Sequence, residues 1–384
     1  MPERQYLLDV SRLIWRIWSG RLPTGIDRVC LAYLDHFASR AQAVVQKGAL
    51  RRILSPDASD RLFALLAQGG PGFRRSLTAM VSTLALSAGA NGAHAGRIYL
   101  NIGHTGLDAA TLPDWIARNG LKAVYLVHDL IPISHPEFCR AGESEKHARR
   151  MTNALRSAAG IISNSQATLG ELRTFAAASQ VPMPASVVAW LAKPDHPAAV
   201  DSAVLELPYF VAVGTIEGRK NHILLLQIWQ RLASGLGDAT PKLVIIGQRG
   251  WEADHARAML DRGFGIAGHV EELGRCPDAE LARLIAGARA LLMPSFVEGF
   301  GLPIIEALEF GTPVIASDQP VFREIAGDIP TYLDPLDGPG WERAILDFMG
   351  ECPELLRQLG RMAEFVAPDW PTHFAIVENW LRTL

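Results

Sequence analysis

The sequence predicts two α/β domains, each built on a doubly wound parallel sheet. The chain has 384 residues, which exceeds the length that a single hydrophobic core usually supports. Segments rich in Val, Ile and aromatic residues alternate with longer helical patterns, as in parallel sheets with crossover helices. A stretch rich in Pro and Ala, from Lys193 to Pro208, separates two series of these segments and has the composition of a linker. One domain is therefore expected on each side of it.

The strands are assigned from short apolar runs that precede helical patterns. In the first series we predict strands at Tyr6–Val10, Arg97–Asn101, Lys122–His128, Gly160–Ser163 and Ser186–Trp190. In the second series we predict strands at Tyr209–Gly214, Lys242–Gly247, Val270–Gly274, Ala290–Pro294, Pro313–Ala316 and Thr331–Leu333.

The linker sets the domain boundary near residue 204. We predict an N-terminal domain over 1–204 and a C-terminal domain over 205–368. The last residues, 369–384, carry Phe374, Val377 and other apolar residues at helical spacing. We expect them to form a helix that packs back on the N-terminal domain.

Composition excludes several classes of protein. With 49% hydrophobic and 20% charged residues, the chain is neither disordered nor collagen-like. Its four cysteines are far apart and form no C-x-x-C pair, which argues against a disulfide framework or a structural zinc site. No signal peptide is recognisable, and the apolar run Leu77–Leu86 is too short to cross a bilayer. We expect a cytoplasmic protein.

Charge is divided unevenly along the chain. Residues 1–205 carry a net charge of +7 and residues 206–384 carry −10. Basic residues precede Leu77–Leu86, and Trp15 and Trp18 alternate with arginines near the N-terminus. We expect this first half to contact an anionic membrane at the inner face of the plasma membrane, or a lipid diphosphate. The alternative is an ordinary solvated face. No feature favours nucleic acid.

The most informative run, 295–313, leads from a strand end through a glycine loop into a helix. Gly299 and Gly301 let the backbone approach a ligand, and the N–H groups there form a nest for an anion or a hydroxyl. We place Glu298 in the loop and Glu306 in the first helical turn. Carboxylates accept paired hydrogen bonds from vicinal hydroxyls, which suits a ribose and a hexose. Singly, either Glu could be a cap or a solvated helix residue.

Two further loops could bind an anion. After the strand that ends at Gly214, Arg219 and Lys220 precede a helix for which Asn221 is a good N-cap residue, an arrangement that suits a diphosphate. The alternative is a solvated basic pair. Near the N-terminus, Gly25 opens a helix after the first strand, although such a turn is more often structural.

Together these motifs resemble a GT-B glycosyltransferase of family four, the large retaining group, and its bacterial mannosyltransferase-B-like branch. The resemblance covers nearly the whole chain and is strongest over 209–328. The matching segments are 128–132, 214–217, 219–221, 247–251 and 298–306. It implies two Rossmann-like domains that face a central cleft, with the donor bound mainly to the second domain.

The resemblance also implies roles for individual residues. Arg219 and Lys220 hold the donor diphosphate, Glu306 holds the ribose, and Glu298 with the adjoining loop backbone holds the transferred sugar. The implied catalytic residues are His128, Glu298, Arg219 and Lys220. The implied donor-binding residues are Gly25, Gly214, Arg219, Lys220, Glu298, Gly299, Phe300, Gly301, Leu302 and Glu306. By itself, a histidine such as His128 at a strand end is as often structural.

Two positions depart from the family pattern. Asp27 stands where a glycine is common, and Gly218 stands where a proline is common. A carboxylate beside a diphosphate would repel it, so either Asp27 points away from the ligand or the assignment of this loop to the diphosphate is wrong.

The function implied is that of a retaining hexosyltransferase that needs no cofactor, because the nucleotide sugar is a co-substrate. No D-x-D sequence appears in the chain, so nothing suggests a metal–carboxylate clamp, and we expect no metal. The first choice of donor is GDP-mannose, and the acceptor is a glycan or polyprenyl-linked glycan in the assembly of a cell-surface polysaccharide. The alternatives are an epimerase-type sugar-nucleotide enzyme and a catalytically silent glycan- or partner-binding protein. Residues 263–268 satisfy G-x-G-x-x-G but follow a helical pattern, which argues against a nicotinamide cofactor.

Overall fold

The computed structural model divides the chain into two compact units. The first unit comprises 1–134, 140–191 and 370–384, and the second comprises 135–139 and 192–369. The structure describes residues 4–20, 24–70, 72–86, 94–193, 208–250, 252–263, 265–274 and 276–384, with only the backbone described over 80–86. The boundary predicted near residue 204 lies outside the described residues.

The first unit contains a seven-stranded sheet in the order β3-β2-β1-β4-β5-β6-β7. Its strands are β1 (Tyr6–Asp9), β2 (Ala41–Lys47), β3 (Leu50–Ile53), β4 (Ile98–Asn101), β5 (Lys122–Val127), β6 (Ala158–Ser163) and β7 (Ala185–Val188). All neighbours pair in parallel except β2 and β3, which are antiparallel. The five strands predicted for this half are present, with ends shifted by at most two residues.

The edge hairpin of β2 and β3 was not predicted, and it adds one antiparallel strand, β3, to the predicted parallel sheet. Gly48, with φ of +59°, forms the tight turn between the two strands. Two glutamines interrupt the apolar pattern of β2, and both are buried because the fold supplies them with partners. Gln42 Nε2 donates to the Leu54 carbonyl at 2.6 Å, and Gln46 Nε2 donates to Asp9 at 2.5 Å.

Helices cover both faces of this sheet. They are α1 (Ser11–Trp18), α2 (Gly25–Phe37), α3 (Pro56–Gln68), α4 (Phe73–Leu86), α5 (Leu112–Arg118), α6 (Ile131–Ser134), α7 (Glu143–Ser157) and α8 (Gln166–Ala178). The apolar segment Leu77–Leu86 forms the end of α4, which has 14 residues. Within the described part of the chain, no helix combines the length and apolarity needed to cross a membrane.

The second unit contains a six-stranded parallel sheet in the order β10-β9-β8-β11-β12-β13. Its strands are β8 (Tyr209–Val213), β9 (Lys242–Ile246), β10 (Val270–Leu273), β11 (Leu291–Met293), β12 (Val314–Ser317) and β13 (Thr331–Leu333). Its helices are α9 (His222–Leu236), α10 (Asp254–Arg262), α11 (Asp278–Ala286), α12 (Leu302–Glu309), α13 (Pro320–Ala326), α14 (Gly338–Met349) and α15 (Pro353–Met362). The predicted second series of strands is present here, so both halves of the chain are parallel α/β folds.

The last helix, α16 (Trp370–Leu381), is part of the first unit. The Phe374 ring stacks on His36, with centroids 3.8 Å apart. Glu378 accepts hydrogen bonds from His36 at 2.5 Å and from Arg40 at 2.6 Å. The hydrogen bond from Arg40 is the main reason that the pKa of Glu378 falls to about 2. Stacking and ion pairing thus hold this helix against α2.

Candidate functional site

Two loops of the second unit meet at one edge of its sheet. β8 and β11 are neighbours, and parallel strands end at the same edge, so the loops that follow them are adjacent. The backbone N–H of Phe296 donates to the Arg219 carbonyl at 2.8 Å, and Arg219 Nη1 donates to the Val297 carbonyl at 3.1 Å. The basic pair and the glycine loop predicted from sequence therefore form one site.

Glu298 is the centre of a buried ion cluster in this site. Its carboxylate accepts from Arg219 Nη1 at 2.7 Å, from Lys220 Nζ at 2.5 Å and from Ser295 Oγ at 2.7 Å. Only 7% of the Glu298 side chain is exposed. Burial alone would raise the pKa of Glu298, but the two cations outweigh it and lower the pKa to about 2. Glu298 is therefore ionised and fixes both cations in place.

The two cations differ in their surroundings. Lys220 lies over Gly214, where φ is +140° and a Cβ would come within 3.2 Å of the Lys220 ammonium nitrogen. Burial lowers the pKa of Lys220, and the nearby Glu298 carboxylate opposes that effect. Arg219 also pairs with Glu217 at 2.7 Å, yet 22% of its side chain stays exposed. An anionic ligand can therefore reach Arg219.

Asn221 connects this site to two other loops. It occupies the N-cap position of α9, but its side chain does not cap the helix as predicted. Its φ is +55°, and its Nδ2 donates instead to the carbonyl groups of Pro294 at 3.2 Å and Pro335 at 3.0 Å. The predicted N-cap position is correct, but no side-chain cap hydrogen bond forms, because the side chain is turned toward these two carbonyl groups, which are distant in sequence.

The glycine loop ends at Gly301, the N-cap of α12. Its φ is +117°, and a Cβ there would lie 2.9 Å from side-chain atoms of Phe322 and Ile325, so only glycine fits. Leu302 begins the helix, which places Glu306 in the second turn and not in the first as predicted. Glu306 is buried, at 5% exposure.

Gly299 and Phe300 lie in the same loop, before Gly301, and Phe300 is buried. The Phe296 ring, at the start of the loop, stacks on Phe138 with centroids 5.4 Å apart. Phe138 belongs to the short segment 135–139, which the sequence placed in the first domain and the structure places in the second unit. An aromatic pair thus packs beside the ion cluster.

In the first unit, Gly25 is the first residue of α2. Thr24 and Asp27 form a capping box at this helix end, with Asp27 accepting from the Thr24 backbone N–H at 2.7 Å. The buried Asp27 carboxylate also pairs with Arg12 and Arg16, each at 2.6 Å. Burial would raise its pKa, but the Thr24 hydrogen bonds and Arg12 lower it. Asp27 therefore caps and neutralises this end of the helix.

His128 follows β5 in the first unit. Its Nε2 lies 2.8 Å from the Ile102 carbonyl, and Asn164 Nδ2 donates to the His128 carbonyl at 2.8 Å. Burial lowers the pKa of His128 to about 4, so the ring is neutral at pH 7. The structure also brings His104 to this place, with ring centroids 5.2 Å apart. His104 was missed, although it follows β4 as His128 follows β5 and is flanked by Gly103.

Among the described residues, no group of three or more His, Cys, Asp or Glu residues is arranged to hold a metal ion. Arg219 and Lys220 supply positive charge to the candidate site.

Known glycosyltransferases resemble this chain in sequence and in fold. Residues 200–333 match the family described as Glycosyl transferases group 1. The structures of Anabaena Alr3699/HepE in complex with UDP and of WaaG, a glycosyltransferase involved in lipopolysaccharide biosynthesis, share the fold, with TM-scores of 0.62 and 0.60. Their identities are 16% and 13%, over 99% and 97% of this chain and 99% and 98% of theirs. The resemblance to GT-B glycosyltransferases of family four is confirmed.

Several curated relatives of this chain are named mannosyltransferases. The chain is 42% identical to the O-antigen chain mannosyltransferase B of Escherichia coli over 129 residues, which cover 34% of this chain and 33% of the relative. It is 31% identical to the O-antigen chain mannosyltransferase RfbU of Salmonella typhimurium over 177 residues, 45% of this chain and 46% of the relative. The chain thus spans less than half the length of either relative.

Proposed function

We propose that this protein is a retaining glycosyltransferase that moves a hexose from a nucleotide-diphosphate sugar to a glycan or polyprenyl-linked glycan. GDP-mannose is the first choice of donor, because the curated relatives are named mannosyltransferases. The observation that carries the proposal is the Glu298 carboxylate, which holds Arg219 and Lys220 together beside the start of α12. Such a site suits a diphosphate that gains charge during reaction.

In the proposed reaction, the bond between the sugar anomeric carbon and the β-phosphate oxygen breaks. The acceptor hydroxyl oxygen bonds to the same carbon on the same face, and its proton passes to the departing phosphate. Arg219, Lys220 and the N–H groups at Gly301 and Leu302 stabilise the negative charge that develops on that phosphate. This chemistry uses protein cations and helix dipoles, so we propose that it needs no metal.

The remaining residues bind the two sugars of the donor. We assign the ribose hydroxyls to Glu306, and the transferred hexose to Glu298 and the loop backbone from Gly299. We assign His128 to the hexose near the reacting carbon, where a neutral imidazole can accept a hydroxyl hydrogen bond. The curated relatives are named for the O-antigen chain, which supports a place in cell-surface polysaccharide assembly. We propose that the protein acts on the cytoplasmic side.

A thermal-shift screen without metal tests the donor site. GDP-, UDP-, dTDP- and ADP-sugars are each added to the wild type, because a ligand that binds only the folded state raises Tm. One nucleotide series should stabilise the wild type. Lys220→Ala and Glu306→Ala should each weaken its binding about ten- to hundredfold, since each removes a charge-assisted contact worth about 1.5–3 kcal/mol.

Matched variants separate this effect from general damage. Glu309→Ala lies on the same helix as Glu306 but pairs with Lys193, so it should bind the nucleotide sugar as the wild type does. Lys242→Ala removes a lysine at the start of β9 and should also keep binding. Unchanged binding in both Lys220→Ala and Glu306→Ala would remove the proposed site. No shift with any series would favour the silent binding protein, and donor hydrolysis without acceptor dependence would favour the epimerase-type enzyme.

We also propose that α1 contacts an anionic membrane. Trp15 is 64% exposed and Trp18 is 39% exposed, and the Arg74 guanidinium lies over the Trp18 ring at 5.7 Å. Tryptophan favours the membrane interface, and arginine favours anionic headgroups. Trp15→Ala should reduce sedimentation with vesicles rich in anionic lipid. Trp190→Ala, which removes another exposed tryptophan of the same unit, should not. Equal sedimentation of the wild type with neutral and anionic vesicles would contradict the proposal.

A further inference from the structure

The loop after β4 holds His104 in an unusual backbone conformation. His104 has φ of +58°, a region that residues other than glycine rarely occupy. The loop is also packed closely on its neighbours. A Cβ at Gly103 would lie 2.6 Å from Arg12 Cδ, and a Cβ at Gly106 would lie 2.1 Å from Gln46 Oε1. Such conformations persist only where surrounding structure imposes them, and they cluster at functional sites.

A buried network imposes this conformation. The Thr105 carbonyl accepts from Gln46 Nε2 at 2.7 Å and from Asn101 Nδ2 at 2.9 Å. Gln46 Nε2 and Tyr99 Oη also donate to the buried Asp9 carboxylate, at 2.5 and 2.7 Å. The ends of β1, β2 and β4 therefore together fix the loop that carries His104.

Each of His104 and His128 hydrogen-bonds a backbone carbonyl in or next to the strand that precedes the other histidine. His104 Nε2 lies 2.7 Å from the Leu126 carbonyl, in β5, and His128 Nε2 lies 2.8 Å from the Ile102 carbonyl, which follows β4. A carbonyl oxygen can only accept, so each Nε2 carries the proton. Burial keeps both rings neutral. Each Nδ1 is then an unprotonated acceptor, for which the described part of the chain provides no donor.

We propose that His104 adds a second acceptor to the hydroxyl contact assigned above to His128, so that the Nδ1 atoms of both rings accept hydrogen bonds from a saccharide in a hydroxyl-binding subsite of the first unit. The rings lie 5.2 Å apart and tilted by 57°, and His104 is only partly buried, so a ligand can reach it. A neutral acceptor nitrogen can bind a hydroxyl group, which donates a hydrogen bond, but it has no proton to donate to an anion. The choice of saccharide rests on the proposed function, whereas the acceptor chemistry rests on the geometry alone.

Saturation-transfer NMR on the full chain tests the subsite, with methyl α-D-mannopyranoside and methyl α-D-glucopyranoside as probes. The wild type should transfer saturation to at least one probe. His104→Gly removes the ring and relieves the positive φ, so it should fold but bind the probe about three- to tenfold more weakly, as for one lost hydrogen bond. His104→Asn tolerates positive φ and keeps an acceptor oxygen, so it should retain part of the binding.

Gln180→Gly is the matched backbone control. Gln180 also has a positive φ, of +55°, and lies in the turn after α8, so this variant relieves similar strain away from the two rings. It should bind the probe as the wild type does. Equal probe binding by His104→Gly and the wild type would overturn the proposal. So would no transfer to either probe in the wild type, or binding that is abolished by EDTA, which would show that the rings hold a metal.

The same variants distinguish the source of the hydroxyl. If it belongs to the donor sugar, GDP-mannose should stabilise the wild type more than GDP does, and His104→Gly should lose that difference. If it belongs to the acceptor, the difference should persist and the KM for the acceptor should rise about three- to tenfold. Probe binding that depends on His104 in a chain that turns over no nucleotide sugar would overturn the proposed activity and leave the subsite standing.

Discussion

Replacing Glu298 with alanine is expected to lower the free energy of unfolding by about 3–5 kcal/mol, because the buried Lys220 ammonium would lose its counter-charge and Arg219 would lose one of its carboxylate partners. Lys220 has an exposed fraction of only 11% and lies beside Arg219, so neither solvent nor another carboxylate can fully replace Glu298. The same variant should lose about hundredfold or more in kcat/KM, since the cations that meet the diphosphate are no longer held. Urea unfolding and steady-state kinetics measure the two effects.

Further variants test whether the loss of charge causes the destabilisation. Glu298→Gln keeps the shape but should still be destabilising, since it leaves the buried Lys220 without its counter-charge and removes one carboxylate from Arg219. The double variant Lys220→Met with Glu298→Leu removes both charges of one pair, so it should regain stability but not activity. Asp318→Ala breaks an exposed ion pair with Arg323 in the same unit and should cost less than about 1 kcal/mol. Wild-type stability in Glu298→Ala would contradict the importance of the cluster.

Replacing Gly247 with alanine is expected to destabilise the second unit by about 3 kcal/mol or more, at or beyond the upper end for overpacking. A Cβ there would lie 1.9 Å from the Gly214 carbonyl oxygen and 2.5 Å from its carbon. These are backbone atoms, so the loop after β8 would have to move. That loop passes beneath Lys220, so nucleotide-sugar binding should weaken as well. Thermal unfolding with and without the nucleotide sugar measures both effects.

Gly235→Ala is the matched control, and it is expected to raise stability slightly where Gly247→Ala lowers it. Gly235 lies near the end of α9, and nothing lies within 4 Å of the Cβ it would gain. Alanine favours helix over glycine by about 0.8–1.0 kcal/mol, so Tm should rise slightly and binding should not change. If Gly247→Ala changed Tm and nucleotide-sugar binding no more than Gly235→Ala does, the close approach of Gly247 to Gly214 would not be needed for stability or binding.

The strands and the chemical type of the site could be predicted because both have local signatures. Apolar runs such as Lys122–Val127 are buried on both faces of a parallel sheet, so they stand out from amphipathic helices. β2 could not be found in this way, because Gln42 and Gln46 look like surface residues until their buried partners are known. Glu306 lies at the start of the second turn and not in the first, because α12 begins at Leu302, directly after Gly301.

By itself, the sequence determined which residue types follow each strand: a basic pair after β8, a glycine loop with a carboxylate after β11, and a histidine after β5. Only the tertiary structure decided which of these groups meet. Arg219 and Glu298 are paired across 79 positions of the chain because β8 and β11 are neighbours. His104 donates to the Leu126 carbonyl of β5, and His128 donates to the Ile102 carbonyl that follows β4, because β4 and β5 are neighbours. Strand order is set by the packing of the whole sheet, so it cannot be predicted from a local sequence pattern.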